Sequence, residues 1–516
     1  MVVAAFFELR RIRSHAEPIL RARVIETLST RFKSRVELAE LHVSLQGGLG
    51  VSGSGLKIFG LSDPNPSAPG VQPLLEVREF HFGTGLRALF APHIHVHSVG
   101  VKGMVLNLPP QEDRAQYHAN ASKMKMSIFV DEFVCEDTQL VINTRKPGKE
   151  PLDFEISRMV MRDLGPNQPM SFDATLVNPK PVGDIQSQGH FGPFEESSPR
   201  ETPVDGVYSL TKADLGTLKG IGGILSSKGK YRGTLGKIEV EGTTDTPDFR
   251  VIASGGQSVD LHTDFHAIVD GTDGDTYLEP VSAKFLHTSF TAKGKVVRVK
   301  NPLGHDIELA VDMPHARVED LLKLGVKTDP PVMSGDVSMK TKLRLEPGPN
   351  DVAERLKLNG NFEIPAGVFS NTKIQDRIDS LSLRSQGEPK LAKEHAVVGV
   401  PSNLAGTFRL DRGLFTFDDL HFSVPGTHAD LDGQYSIDGQ VFDFHGTLRL
   451  EAKVSQMTTG WKSFLLKPVD PFFSKNGAGT EVPFKVTGTH SAPHFGLDFG
   501  HDKDKDKADR AQSSRP

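Results

Sequence analysis

Three histidines, His93, His95 and His97, alternate along one short stretch. Alternation places them on one face of a strand, about 6 to 7 Å apart. Two imidazoles at that spacing could ligate zinc, but no carboxylate or cysteine close in sequence completes a tetrahedral set. A solvated histidine ladder is the competing reading. Asp418-Asp419 and Asp430/Asp432 offer carboxylates for acid–base work. Carboxylates beside strand turns are common, however, and nothing in the sequence suggests shifted pKa values. The run Asp270-Gly271-Thr272-Asp273-Gly274-Asp275 looks like a calcium loop. Counted from Asp270, position three is Thr272 and position twelve is Val281, so the EF-hand ligand pattern fails and a turn is expected. Gly48-Leu49-Gly50-Val51-Ser52-Gly53 is a formal G-x-G-x-x-G match. A dinucleotide site needs a helix after it, whereas a strand pattern follows, so this too reads as a turn. Cys135 is the only cysteine. It excludes a disulfide framework and a cysteine-based metal site, and it reads as an inert thiol at a strand edge. With no Ser-His-Asp set, H-E-x-x-H or phosphate loop, the expectation is a non-enzyme: no catalytic residues, no metal and no cofactor.

The elements that carry these residues are mostly strands. From Phe442 to Val454 every even position is apolar or small, and the odd positions are Asp443, His445, Thr447, Arg449, Glu451 and Lys453. A period of two gives a strand one greasy face and one wet face. Leu404, Gly406, Phe408 and Leu410 alternate likewise, as do Ala429, Leu431, Gly433, Tyr435 and Ile437. A weak Gly-x-aromatic repeat runs through Gly360-x-Phe362, Gly406-x-Phe408 and Gly433-x-Tyr435, with spacing too irregular for a strict solenoid. Upstream, Val36 to Leu45 and Leu56 to Phe59 read as a hairpin, followed by strands at Leu74–Phe82 and His93–Leu108. Further strands are expected at Lys125–Val134, Leu140–Asn143, Phe154–Asp163, Phe172–Val177 and Asp184–Phe191. Helices are few. Ser14 with Glu17 forms a capping box ahead of the stripe Leu20, Val24, Leu28 and Phe32. Short helical pieces are expected at Gly85–Phe90 and Ala316–Leu324, while Asp214–Ser226 is balanced between helix and strand by its glycines.

The balance of 60 basic against 65 acidic residues, net −5, carries no polyanion-binding signal and argues against a nucleic-acid partner. Met1–Phe7 is apolar and is followed by Arg10, Arg11 and Arg13. It is too short to span a bilayer, and its basic residues follow the apolar run instead of preceding it as in a signal peptide. Two readings stay open: residues 1–13 are the remnant of a membrane anchor, or an apolar leader into the next helix. Trp461 to Phe473 mixes Trp461, Phe464, Leu465 and Phe473 with Lys462 and Lys467, a composition suited to a membrane interface or to closing a groove. A hydrophobic plug on the last strands is the alternative. His501–Pro516 is a charged, solvated tail.

Several of these runs resemble the AsmA-like family of bacterial envelope proteins, related to TamB and the bridge-like lipid-transfer proteins. The helix Glu17–Arg31, the strands Arg35–Leu45 and Gly53–Phe59, Pro73–Val77, Leu86–Phe90 and Gly100–Leu108 are similar to the family's N-terminal module. Asp205–Phe249 and Gly433–Gly439 are similar to its repeated strands, and Lys453–Pro468 and Val482–Thr489 with Pro493 and Phe495 to its C-terminal region. The division expected is an anchor remnant at 1–13, an N-terminal module at 14–108, a middle β region at 109–352, a C-terminal β region at 353–500 and a tail at 501–516. The resemblance implies a mainly β fold: a long curved antiparallel sheet forming an elongated apolar groove, with an N-terminal helix and a few short ones. It also implies a non-enzymatic role in moving phospholipid between inner and outer membranes, in the periplasm and in association with the inner membrane. Partners would be phospholipid acyl chains, bacterial membranes and other envelope proteins.

Physical chemistry leaves one choice open. A one-sided apolar sheet must be covered by a second sheet, by helices or by a ligand, and helical segments are too few. A second sheet would make a sandwich scaffold for envelope assembly; acyl chains would make a lipid groove. On the groove reading the acyl contacts are Phe408, Leu410, Tyr435, Phe442, Phe444, Leu448 and Leu450, and the membrane contacts are Trp461, Phe464, Leu465 and Phe473.

Overall fold

A computed structural model of the chain describes residues 18–30 (apart from 20 and 27), 34–44, 49–59, 73–84, 93–110, 127–143, 151–165, 167–179, 181–195, 198–218, 220–252, 255–299, 304–325, 330–393, 399–437, 441–457, 479–489 and 492–498. They form one long curled sheet of 23 strands, a half-barrel. Strand follows strand as an antiparallel meander from Leu49–Ile58 through Leu75–Thr84 and His93–Leu108, and again from Ser127–Ile142 to Ala492–Leu497. One junction differs: His93–Leu108 and Ser127–Ile142 pair in parallel, His93 opposite Ser127 and Leu108 opposite Ile142. At about 4.8 Å between neighbours the hydrogen-bonded direction extends for about 100 Å. Pairing continues without a break across residues 108/109 and 352/353, where the sequence was divided into regions. Among the described residues, substantial strand-to-strand contacts are confined to hydrogen-bonded neighbours. A second sheet of a sandwich is therefore not formed by them.

The longer helices sit on one long rim of the sheet, and the four-residue helix Val352–Arg355 on the other. Residues 18–19, 21–26 and 28–30 are helical, and Arg21 donates to the carbonyl of Leu38 at the first edge, 2.7 Å away. Val318–Gly325 lies where Ala316–Leu324 was expected to be helical. Its Asp320, 1% exposed, accepts from the His287 amide and the Thr288 hydroxyl at the opposing strand turn, both at 2.9 Å. Thr372–Ser385 is a helix whose fully buried residues are polar, Gln375, Asp379, Ser382 and Ser385, flanked by a partly buried apolar stripe of Ile374, Ile378 and Leu381. The polar side chains satisfy backbone groups at the strand ends, which buried polar groups require. Asp379 accepts from the amides of Gly399 and Val400 at 2.9 Å, and Ser382 donates to the carbonyl of Pro425 at 2.8 Å.

Four local expectations are corrected. Gly50 and Gly53 lie inside a strand, opposite Ser44 and Leu41, and are not a turn. Cys135 lies in the interior of a 16-residue strand, not at an edge, and is fully buried. The balanced segment Asp214–Ser226 resolves into a 3-10 turn, Leu215–Thr217, followed by strands, since Gly220 and Gly223 adopt positive φ and break any helix. The strand expected from Phe442 to Val454 ends at Leu450. The segments 1–13, Gly85–Phe90, Trp461–Phe473 and 501–516 lie outside the described residues, and with them Trp461, Phe464, Leu465 and Phe473.

Candidate functional site

Strand register makes one face of the sheet continuous. Leu41 lies opposite Gly53, Gly53 opposite Phe80, and the row proceeds through Val101, Cys135, Met159, Ala174 and Ser187. It continues through Tyr208, Gly229, Gly242, Phe265, Val281 and Ala292, then Val311, Thr341, Gly360 and Phe408. A parallel row, Phe362, Gly406, Leu420, Leu431, Gly446, Phe484 and Leu497, carries the same face to the last strand. Its polar members spend their hydroxyls within the protein. Tyr208 bonds Ser227 at 3.1 Å, Tyr231 bonds Ser187 at 2.7 Å, and Thr341 donates to the carbonyl of Asn359 at 3.3 Å.

Glycines recur in these rows opposite aromatic rings: Gly206 faces Tyr231, Gly229 faces Tyr208, Gly242 faces Phe265 and Gly360 faces Phe408. A Cβ on Gly206 would sit 2.6 Å from both the Gln188 carbonyl oxygen and the Tyr231 hydroxyl. At Gly360, Gly406 and Gly446 it would collide with a carbonyl oxygen of the next strand. Neighbouring backbones therefore approach too closely for any side chain, and the ring lies over the gap. Glycine kinks of this kind permit strong sheet curvature.

The expected acyl contacts fall on this face and divide into two groups. Phe408, Leu410, Leu448 and Leu450 are buried. Leu448 and Leu450 join Ala429 in a cluster closed by Leu381 of the rim helix Thr372–Ser385 and by Met457. Tyr435, Phe442 and Phe444 are half-buried, away from that rim. Rings run between them: Phe362 to Phe408 at 6.2 Å, Phe408 to Phe415 at 6.0 Å, Phe417 to Phe444 at 5.6 Å and Tyr435 to Phe442 at 6.4 Å between centroids. Separations of this size are normal for interacting rings. Phe362, Phe415, Phe417 and the upstream tyrosines belong to the same lining, although the sequence reading did not select them. Gly206-x-Tyr208 and Gly229-x-Tyr231 repeat the Gly-x-aromatic signal noted downstream, and that signal could have found them.

Of the residues first considered for chemistry, Asp418, Asp419 and Asp430 lie on the charged side, whereas Cys135 belongs to the apolar row and His95 and His97 alternate with Val101 on that same side. His97 binds Asp131 at 2.9 Å on the adjacent parallel strand, and His95 stacks on Phe129 at 5.2 Å. No group of three or more potential ligands able to hold a metal occurs among the described residues. Asp418 pairs with Arg409 at 2.7 Å, Asp419 with His421 at 2.7 Å, and Asp430 with both His421 and Arg449. The His421 hydrogen bond, aided by Arg449, holds the Asp430 carboxyl below its ordinary range, the opposite of what a general acid needs. Asp270 is bound by Arg200 at 2.6 Å and by Thr272, as a turn stabiliser. Burial pushes the Cys135 thiol up, away from thiolate reactivity. His–Asp pairs recur along the charged side at His190–Asp205, His262–Asp245 and His445–Asp498, a cross-strand pattern invisible without register.

No helix among the described residues is long and apolar enough to cross a membrane. No family model, curated protein or solved structure matches the chain.

Proposed function

We propose that the protein is a non-enzymatic binder of phospholipid acyl chains, which lie along the apolar rows of the curled sheet. The observation that carries this reading is the register itself: one face stays apolar, small or internally hydrogen-bonded from Leu41 to Leu497, while no second layer of described residues covers it. Acyl chains supply the missing layer at about 25 cal/mol per Å² of apolar surface removed from water. Tyr435, Phe442 and Phe444 are the proposed contacts on the open half, whereas Leu448 and Leu450 serve the rim cluster. The likeness of the sequence to the AsmA-like family supports a bacterial envelope setting, with lipid passing between inner and outer membranes in the periplasm.

The test is native mass spectrometry of the purified protein, combined with a photo-crosslinking residue at Phe444 or, as a control, at Asp443 on the charged face. Phospholipid adducts and crosslinking from position 444 alone are expected. A lipid-free protein with no crosslink at position 444 would overturn the reading, as would equal crosslinking from both positions.

A further inference from the structure

The charged face carries a second feature, independent of what fills the apolar rows. Across four adjacent strands, Lys293 lies opposite Ala310, Ala310 opposite Lys342, and Lys342 opposite Asn359. The cations around this row are already engaged. Lys295 pairs with Glu308 at 3.0 Å, Lys340 with Asp312 at 3.4 Å, and Arg344 with Asp306 at 3.3 Å. The ammonium groups of Lys293 and Lys342 enter no ion pair or hydrogen bond among the described residues. Two contiguous depressions, about 670 and 900 Å³, are both lined by these two lysines, Asn359, Ala310 and Pro280, with Asp312 at the first and Glu279 and Glu308 at the second.

Two strand spacings separate the lysine backbones by about 10 Å. Each ammonium reaches about 6 Å on its flexible stem, so both can meet over the alanine methyl. Asp312 and Glu308 are taken up by Lys340 and Lys295, so the two ammonium groups repel each other when drawn together; an anion between them removes that repulsion. Two ammonium groups and a carboxamide N–H present donors from several sides, which suits the oxygens of a tetrahedral anion. The space exceeds what a bare phosphate fills, and Pro280 and Ala310 in its lining accept carbon. We propose that this depression binds a phosphate ester carried on a small organic group, either a soluble glycerol phosphate or the headgroup of an anionic lipid.

Binding is measured for the full chain in two arms. One titrates glycerol 3-phosphate calorimetrically. The other sediments vesicles of phosphatidylcholine with and without 20% phosphatidylglycerol. The double variant Lys293→Gln/Lys342→Gln is expected to weaken binding by about tenfold or more, as loss of charge-assisted bonds to an anion should. Lys293→Arg/Lys342→Arg should retain it, and Lys295→Gln, whose cation already serves Glu308, should change it less than twofold. Loss in the first arm assigns a soluble ligand; loss in the vesicle arm alone assigns a lipid headgroup. Absence of binding in both arms, or equal loss in Lys295→Gln and the double variant, overturns the proposal. Because the readout concerns phosphate and not acyl chains, its failure leaves the crosslinking test at position 444 unaffected.

Discussion

Gly206→Ala tests whether the glycine–aromatic pairs build the curled face. Gly206 lies in the strand Pro203–Asp214, between Gly189 and Tyr231, with the Tyr231 ring laid across it to reach Ser187. Its φ lies outside the left-handed region, so alanine meets no backbone penalty there, and restriction of the unfolded chain favours the variant by about 0.4–1 kcal/mol. Against this, the new methyl would sit 2.6 Å from the Gln188 carbonyl oxygen and 2.8 Å from the Tyr231 ring. Overpacking of this kind costs about 1–3 kcal/mol, and the displaced Tyr231–Ser187 hydrogen bond adds about 1 kcal/mol. The net expectation is a loss of about 1–3 kcal/mol, summed from these terms. A sheet this long need not unfold in one step. The measurement is therefore native-state hydrogen exchange of the amides in Pro203–Asp214 and Ile224–Thr234, where local opening is read directly. A double-mutant cycle with Tyr231→Ser separates the ring from the backbone, and a coupling of about 1 kcal/mol is expected. Additive effects within about 0.3 kcal/mol, or unchanged protection in Gly206→Ala, would refute the role assigned to the ring over the glycine.

Two further perturbations address the rim and the charged face. Asp379→Ala orphans the amides of Gly399 and Val400 and removes one of the partners of the Gln375 carboxamide, a cost of about 2–5 kcal/mol at a site 2% exposed; a thermal midpoint equal to wild type would show the helix to be dispensable to the rim. For His445, burial alone would lower the pKa, but hydrogen bonds to Asp498 at 2.6 Å and Asp443 at 2.9 Å outweigh it and raise the value above about 6.5. A raised folded value means the stabilisation is complete below the unfolded pKa and fades as pH rises through the folded one. The wild-type midpoint should therefore exceed that of His445→Gln at pH 5.5 and lose on the order of one degree of that advantage by pH 8. A gap that widens with pH would reverse the sign and sink the assignment.

Alternation made the class of fold legible, since strands such as Ser402–Asp411 and Thr427–Ser436 follow their hydrophobic period almost residue for residue. What alternation lacks is the partner of each strand. The parallel junction at His93–Leu108 leaves no mark on either strand's pattern, so an antiparallel neighbour was the default expectation. The helix Thr372–Ser385 has only a short apolar stripe, Ile374, Ile378 and Leu381, and its fully buried residues, Gln375, Asp379 and Ser382, are polar because they serve backbone groups at strand ends, which dilutes the helical signal. The lining residues were half visible. Phe442 and Phe444 stood out by period, but their sorting from Leu448 and Leu450 depends on where the rim helix sits, which no local pattern encodes.

The glycines link curvature to the proposed cargo. A flat single-layer sheet leaves its apolar face open to water, and a partner sheet about 10 Å away is the usual remedy. Where Gly206 and Gly433 let adjacent backbones close up, the Tyr231 and Phe444 rings lie against them, and the face shields part of itself. Phe408 is 6% exposed with no second layer above its strand. Partial shielding suits a surface that must hold acyl chains and also release them. A dry sandwich core would exclude the ligand, while a fully open face would invite other chains to cover it. Replacing these glycines by larger residues would flatten the sheet and expose more apolar surface. On this reasoning, glycine substitutions along the row should promote self-association before they abolish lipid binding.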